Sequence, residues 1–256
     1  KEALDVIPNI PKLYDEPFAD SSQIPTYIVS RLAATDVKVS MSGDAGDELF
    51  GGYNRYINAP KIYNSVSWAP NIIKKNTVKL LNSIPLVFWD KVGDILNINQ
   101  AAHKLEKSLK IIKSSNINEV YSELTSHWTG ADEVVLRSSS QYSLNTERME
   151  SQASFTDIEI MMFNDLSNYL LGDILVKVDR AAMGASLETR VPFLDHRVVE
   201  YSCRIPVEMK IKNNSGKWPL KEILSDYLPQ ELIHRPKMGF GVPIDVWLRG
   251  PLRDWA

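Results

Sequence analysis

The stretch that decides the fold is a short apolar alternation followed by a loop of small and acidic residues: Val37-Lys38-Val39-Ser40-Met41, then Ser42-Gly43-Asp44-Ala45-Gly46-Asp47-Glu48-Leu49-Phe50-Gly51-Gly52-Tyr53. The alternation predicts a short β-strand over residues 37–41. Helical spacing runs from Ile24 to Ala34 before the strand, and an apolar helical turn follows the loop. The order helix, strand, loop, helix predicts an α/β sheet.

The loop offers three carboxylates within five positions: Asp44, Asp47 and Glu48. The small residues between them let the backbone approach a ligand closely. Carboxylates in this setting suit Mg²⁺, which binds through one or two acids together with substrate phosphates, and loops after the carboxyl ends of parallel strands commonly bind ligands. The alternative is a polar turn that caps a helix. The loop is not a P-loop, because no Gly-Lys-Ser/Thr follows it.

Three zones of the sequence differ in composition and in the pattern of apolar residues. Residues 1–56 hold the predicted sheet and the acidic loop, and residues 57–163 read as a helical insertion with many Lys, Asn and Ser residues. In residues 164–256, Asp173 is predicted to cap a helix from Ile174 to Ser186, and a last helix is predicted from Lys217 to Leu228. The lysines of the middle zone indicate either an acidic partner or, more simply, a solvated helix face.

Net charge, apolar runs and cysteine content argue against several classes of function. The net charge of −3 and the pI near 5.9 give no general basic surface, which argues against nucleic-acid binding. No apolar run reaches the roughly 18 residues expected of a membrane span, so we expect a soluble, cytoplasmic protein. Cys203 is the only cysteine, which excludes an intrachain disulfide, and its apolar neighbours predict a buried thiol.

Cationic residues cluster in the last third of the chain, among glycine, proline and small residues. Phosphoryl or adenylyl transfer needs such groups to neutralise charge on the leaving pyrophosphate. The alternative for Lys177 and Arg180, which are three residues apart, is ion pairing on a helix surface. Lys237 lies in a loop between a proline and two glycines that is suited to closing over a substrate, or is simply a surface loop.

Several of these segments match one family. Residues 42–53 resemble the Ser-Gly-[Glu/Asp]-Gly-x-Asp-Glu-x-Phe-Gly-Gly-Tyr motif of glutamine-hydrolysing asparagine synthetases. Further segments resemble the family's other signatures, in the same order: Asp15-Glu16-Pro17-Phe18-Ala19-Asp20, Lys177-Val178-Asp179-Arg180-Ala181, Glu188-Thr189-Arg190-Val191-Pro192-Phe193-Leu194-Asp195, Gly216-Lys217 and Arg235-Pro236-Lys237. Together they cover nearly the whole chain.

The resemblance implies an α/β fold of the adenine-nucleotide α-hydrolase (HUP, Rossmann-like) class, with a parallel-sheet remnant and a large, mostly helical remainder. It also implies a ligase that uses ATP and Mg²⁺. ATP adenylates a carboxylate, which is aspartate in the type enzyme, and pyrophosphate leaves. Ammonia derived from glutamine then attacks the acyl-adenylate to form an amide. The implied partners are a small carboxylate substrate, an amino-terminal glutaminase domain and a possible second copy in a homodimer.

Residue roles carry over from the same resemblance. The catalytic pair would be Asp44, which positions or deprotonates the amine, and Lys237, which stabilises charge at the adenylated centre or on pyrophosphate. Asp47 would bind Mg²⁺. The nucleotide and pyrophosphate side would be formed by Ser42, Gly43, Gly46, Lys177, Arg180 and Lys217. The substrate side would be formed by Asp179, Glu188 and Arg190.

The sequence departs from the family pattern in two respects. Asp44 stands where housekeeping synthetases have glutamate, and Ala45 stands where they have glycine. The Ser-Gly-Gly-x-Asp-Ser loop, which grips pyrophosphate in the family, and the glutaminase domain do not occur in the sequence. We therefore expect a fragment that keeps the fold and several ligands, binds ATP weakly and does not turn over alone.

Three alternatives remain open at this stage. A specialised amidotransferase of polysaccharide or secondary metabolism would act on another carboxylate. A ring-closing amide synthetase of the β-lactam-forming kind is disfavoured by the acidic loop. A non-catalytic interaction module would use the helical zone for docking. The sequence leaves the acceptor, the amine donor and the oligomeric state undetermined.

Overall fold

The computed structural model describes residues 2–95, 101–126, 155–235, 239 and 241–254. The chain divides into two compact units. We call the first the sheet unit (Lys1–Leu49, Asn168–Ile205 and Pro219–Ala256) and the second the helical unit (Phe50–Ser167 and Pro206–Trp218). In the described part of the chain, no helix is both long and apolar enough to cross a membrane.

Along the chain, the secondary-structure elements are α1 (Glu2–Val6), a 3₁₀ turn (Ile7–Asn9), α2 (Ile10–Tyr14), α3 (Gln23–Ala33), β1 (Val39–Met41), α4 (Gly46–Phe50), α5 (Asn54–Val66), α6 (Asn71–Asn82), α7 (Leu86–Ile95), α8 (Ala101–Lys113), α9 (Ile117–Thr125), α10 (Asp157–Asn164), a π-helix (Asp165–Ile174), α11 (Leu175–Gly184), β2 (Glu188–Arg190), a 3₁₀ turn (Pro192–Leu194), α12 (His196–Arg204), α13 (Val207–Lys210), α14 (Trp218–Ser225), α15 (Gln230–Ile233) and α16 (Ile244–Arg249).

The sheet unit is built around two parallel strands. β1 pairs with β2 in the register Val39–Glu188, Ser40–Thr189 and Met41–Arg190, and α11 packs against α3 and β2. This confirms the predicted α/β class with a small parallel sheet and a mostly helical remainder. The predicted helix over residues 24–34 and the strand over 37–41 are both present within one or two residues, but β2 was not predicted. Its residues Glu188-Thr189-Arg190 include no apolar side chain, so no apolar alternation marks them as a strand.

The helical unit has its own apolar core. Asn116 caps α9, accepting a hydrogen bond from the Glu119 N–H at 2.8 Å, and Thr156 with Glu159 forms a capping box at the start of α10. These caps satisfy N–H groups that a helix start leaves unpaired. The helices α5, α8, α9 and α10 then bury one shared cluster, made of Tyr56, Ala59, Ile111, Ile117, Val120, Tyr121, Met161 and Met162.

A buried carboxylate joins three elements of this unit. Asp165 is fully buried and accepts two hydrogen bonds from Arg55, from Nε at 3.1 Å and from Nη2 at 2.6 Å. The hydroxyl of Tyr121 donates to the same carboxylate at 2.9 Å, and the hydroxyl of Tyr56 donates to its other oxygen. The Arg55 guanidinium also lies 4.0 Å from the centre of the Tyr53 ring. A buried charge with this many partners fixes the helices around it.

Two sequence expectations need correction. Asp173 does not begin a helix, because the chain is helical without a break from Asp157 through the π-helix to Gly184, and its side chain is instead within reach of Tyr169 and Asp20. Cys203 is exposed rather than buried. On α12, which the structure describes throughout, Ser202 alone is buried, and the neighbouring Tyr201 is 66% exposed.

The units also divide the chain differently from the three zones of the sequence. Residues 50–56 belong to the helical unit rather than to the sheet. Residues 206–218 of the last zone belong to the helical unit as well. The composition of residues 206–218 does not predict this placement. A segment that packs against an earlier unit of the chain carries no local sequence signal of doing so.

Substituting Asp165→Asn is expected to lower the free energy of unfolding by about 3–5 kcal/mol, since Arg55 would keep a largely buried charge without its counter-ion. Chemical denaturation followed by circular dichroism measures this. The matched control is Glu2→Gln, which removes the charge from an exposed pair with Arg31 and should cost less than about 1 kcal/mol. Equal effects of the two changes would contradict a stabilising role of the Asp165 cluster.

Candidate active site

The parallel pairing of β1 and β2 places the ends of both strands at one edge of the sheet. The Ser42 N–H donates a hydrogen bond to the Arg190 carbonyl at 2.8 Å, which continues the ladder one residue past β1. The acidic loop of residues 42–48 begins at this edge, and so does the Val191–Asp195 segment that follows β2. Two segments far apart in sequence are thereby neighbours at the edge where α/β sheets bind ligands.

The acidic loop is held in shape by its own side chains and by the second segment. The Ser42 hydroxyl donates to the Asp44 carboxylate, and the Asp44 N–H donates to Ser42 Oγ at 3.3 Å. Ala45 has a left-handed backbone with φ of 66°, a conformation that favours glycine. The backbone at this alanine is therefore strained. Gly46 is buried, and a Cβ added there would lie 3.3 Å from the Phe193 ring. The loop and the Phe193 turn therefore pack closely.

The loop has one open side. A Cβ added at Gly43 would meet no atom within 4 Å, so a ligand has access to the backbone there. Asp47 is half-buried in the first turn of α4, and Glu48 next to it is buried. Among the described residues no three His, Cys, Asp or Glu side chains form a metal cage. Magnesium bound with a nucleotide needs only one or two carboxylates, so a donor set of Asp47 with substrate phosphates fits that ion.

A second polar cluster in the sheet unit surrounds Lys177. Its Nζ lies 2.6 Å from Oδ2 of Asp20, and the two side chains are only 12% and 22% exposed. Burial by itself would raise the pKa of Asp20, but the hydrogen bonds from Lys177 and Ser22 outweigh it and hold that pKa below its usual value of 3.8. The Tyr14 hydroxyl, which donates to the Lys177 carbonyl at 3.2 Å, packs beside this pair.

A second carboxylate modifies this cluster. Burial raises the pKa of Asp173, and the negative charge of Asp20 raises it further. Burial also raises the pKa of Tyr14 above its usual value, with contributions from both carboxylates. The cluster therefore holds one firmly ionised acid and one acid that retains its proton to a higher pH.

The other predicted residues of the sheet unit lie at its surface. Arg180 pairs with Asp15 at 3.3 Å, with 47% of the arginine side chain exposed, and Asp179 beside it is exposed. Glu188 and Arg190 form an ion pair with each other on β2 and are also exposed. The structure thus brings Ser42, Gly43, Asp44, Gly46 and Asp47 together at the sheet edge with Arg190, while Lys177 and Arg180 each pair with an acid of the 15–20 segment.

Two residues of the predicted site remain, Lys217 and Lys237. Lys217 belongs to the helical unit, where its N–H donates to the Phe50 carbonyl at 3.0 Å and its φ is 57°. Gly216 next to it is required by packing, since a Cβ there would come within 2.0 Å of the Gly51 carbonyl oxygen. Lys237 lies outside the described residues.

Asp20 lies in the 15–20 motif, but the sequence alone assigns it no role. Its partner Lys177 is 157 residues away, and a pairing at that distance cannot be read from one sequence.

The family model for asparagine synthase matches residues 1–256. The chain belongs to the asparagine synthase family. It is 31% identical to asparagine synthetase [glutamine-hydrolyzing] 1 of Bacillus subtilis and 32% identical to a putative asparagine synthetase [glutamine-hydrolyzing] of Mycobacterium tuberculosis, in both cases over its full length. It spans only 39% and 37% of the length of these relatives. No solved structure matched the chain. Family membership places the sheet unit in the HUP-like class.

Substituting Asp20→Asn is expected to lower the free energy of unfolding at pH 7 by about 1.5–3 kcal/mol, the range for hydrogen bonds to charged groups. The pKa of Asp20 is depressed in the folded state, so its contribution is complete above about pH 5 and is lost as pH falls through the lower, folded-state pKa. Denaturation of both proteins between pH 7 and pH 2 measures the difference. If the difference in the free energy of unfolding between the two proteins stays constant down to pH 2, the charge of Asp20 does not cause that difference.

Proposed function

We propose that this chain carries the nucleotide-activating part of an enzyme that amidates a carboxylate at the expense of ATP. A carboxylate oxygen attacks the α-phosphorus of ATP, the bond to pyrophosphate breaks, and pyrophosphate leaves. Ammonia then attacks the carbonyl carbon of the acyl-adenylate, the bond to AMP breaks, and the amide forms after loss of a proton. Activation is needed because a free carboxylate offers no leaving group.

The observation that carries this proposal is the convergence of two family motifs at one sheet edge. The hydrogen bond from Ser42 to Arg190 and the packing of Gly46 on Phe193 support a single pocket wall built from both. The open space at Gly43 leaves the backbone accessible to phosphate groups.

Asp47 would hold Mg²⁺ together with oxygens of the nucleotide. The ion would neutralise charge that develops on the phosphates as pyrophosphate leaves. Lys237, which the resemblance places at the same centre, would add a second positive charge. Lys177 is paired with Asp20, so its net charge is already balanced, and we assign it to holding the substrate side in place rather than to neutralising pyrophosphate.

Asp44 would orient or deprotonate the incoming amine. Its carboxylate accepts from the Ser42 hydroxyl, which fixes its direction, and this contact supports a positional role. One named relative is described as an asparagine synthetase [glutamine-hydrolyzing], and the other as a putative one. By extension we propose aspartate as the acceptor, glutamine-derived ammonia as the donor, and a glutaminase domain as the partner of this chain.

Substituting Asp47→Asn, in the longest polypeptide that contains this chain, is expected to reduce aspartate-dependent release of pyrophosphate at least ~100-fold, since charge stabilisation at the phosphates is lost. The assay contains ATP, Mg²⁺, aspartate and ammonia, so it does not depend on glutaminase activity. Lys237→Ala should reduce the rate comparably.

The control is Asp36→Asn, an exposed acid of the same unit outside the loop, which should leave the rate unchanged. Full activity of the Asp47→Asn protein would contradict the proposal. Pyrophosphate release that depends on a different carboxylate would keep the chemistry and replace aspartate as the acceptor.

A further inference from the structure

The helical unit contains a cavity that plays no part in the proposed amidation. Its volume is about 570 Å³, and it lies between α5 and α8, with Leu124 of α9 at one side. Pockets that bind small organic molecules have volumes of roughly 300–1,000 Å³. The cavity is therefore large enough for a ligand with a ring or a short chain.

The polar lining of the cavity is cationic. Lys104 and Lys107 are three residues apart on α8 and share one face of that helix, and Lys61 approaches from α5. Among the residues that the structure describes, no carboxylate lines the cavity. Lys61 Nζ lies 2.6 Å from the neutral side-chain oxygen of Asn214, a contact that orients the ammonium group without cancelling its charge.

The structure shows no ion-pair partner for the two α8 lysines, Lys104 and Lys107, among the residues that it describes. Arg55 also lines the cavity, but its charge is matched by Asp165. The net positive charge facing the cavity therefore comes from the three lysines, and it favours an anion.

Neutral donors and an apolar wall complete the lining. Asn54 and Asn58 offer amide groups, whereas the Ser108 hydroxyl already donates to the Lys104 carbonyl at 2.9 Å. Ala59 and Ile111, which belong to the buried core, form an apolar surface with Ile62. A ligand that uses both parts needs a compact group with several acceptor oxygens and an apolar body.

We propose that this cavity binds a small organic phosphate with an apolar or aromatic body. A phosphate monoester carries close to two negative charges at neutral pH and three strong acceptor oxygens, which suits several ammonium groups and neutral donors together. A simple carboxylate would leave most of these donors unused. The proposal rests only on residues of the helical unit, so it stands or falls separately from the proposed ATP chemistry.

The direct test is isothermal titration of the chain with three probes at pH 8. The first, 1-naphthyl phosphate, combines both chemical features, whereas inorganic phosphate has only the charge and 1-naphthol only the apolar ring. We expect 1-naphthyl phosphate to bind at least tenfold more tightly than either of the others, and more weakly as the NaCl concentration rises from 0.05 to 0.5 M. Absence of binding, or equal binding of 1-naphthol, would overturn the proposal.

A double charge reversal locates the site. Lys104→Glu with Lys107→Glu is expected to weaken binding of 1-naphthyl phosphate about tenfold or more, because two attractions become repulsions. Both residues are exposed, so the fold should persist, and circular dichroism checks this. The matched control is Lys91→Glu, an exposed lysine of α7 outside the cavity. Equal affinities of the double variant and the unchanged chain would overturn the assignment of the site.

Discussion

Parallel hydrogen bonding between β1 and β2 is the contact on which the candidate active site depends. It is a short ladder of three residue pairs, extended by the bond from Ser42 to Arg190. A slip of one residue would turn every side chain of one strand to the other face of the sheet. It would also separate the loop of residues 42–48 from the Phe193 turn. The chemistry that we assign to the loop therefore requires this register.

The molecule uses buried carboxylates in two ways. In the helical unit, Asp165 accepts hydrogen bonds from an arginine and two tyrosine hydroxyls. These contacts balance its charge, and they hold the helices around it together. In the sheet unit, Asp20 is compensated by Lys177 while Asp173 nearby retains its proton to a higher pH. Groups with separated pKa values are typical of functional clusters, and ion pairs that only hold a fold together also produce them.

The sequence predicted the parts of the fold that carry a local signal. The helix before β1, the strand itself and the small-residue loop each follow from periodicity or from residue type, and the structure confirms them. The family resemblance covered nearly the whole chain and was confirmed by the family match. Local signals sufficed for these elements because strands, turns and helix starts are set by neighbouring residues.

The remaining features depend on long-range contacts. β2 is only three residues long, and it becomes a strand because β1 lies beside it. The residue type of Asp173 predicts a helix cap, but the helix continues through it from α10 to α11. The apolar neighbours of Cys203 predict a buried thiol, whereas the face of α12 that carries it points outward. In each case tertiary packing overrode a local preference.

The central claim is that the acidic loop and the turn after β2 form one wall of a magnesium–nucleotide site. Paramagnetic broadening tests it directly, because Mn²⁺ in place of Mg²⁺ broadens amide signals of nearby residues even when the nucleotide binds weakly. With Mn²⁺–ATP added to the isotope-labelled chain, we predict that the amide signals of Gly43, Gly46 and Phe193 broaden before those of α1. Broadening that spares these three residues and affects other parts of the chain would contradict the claim.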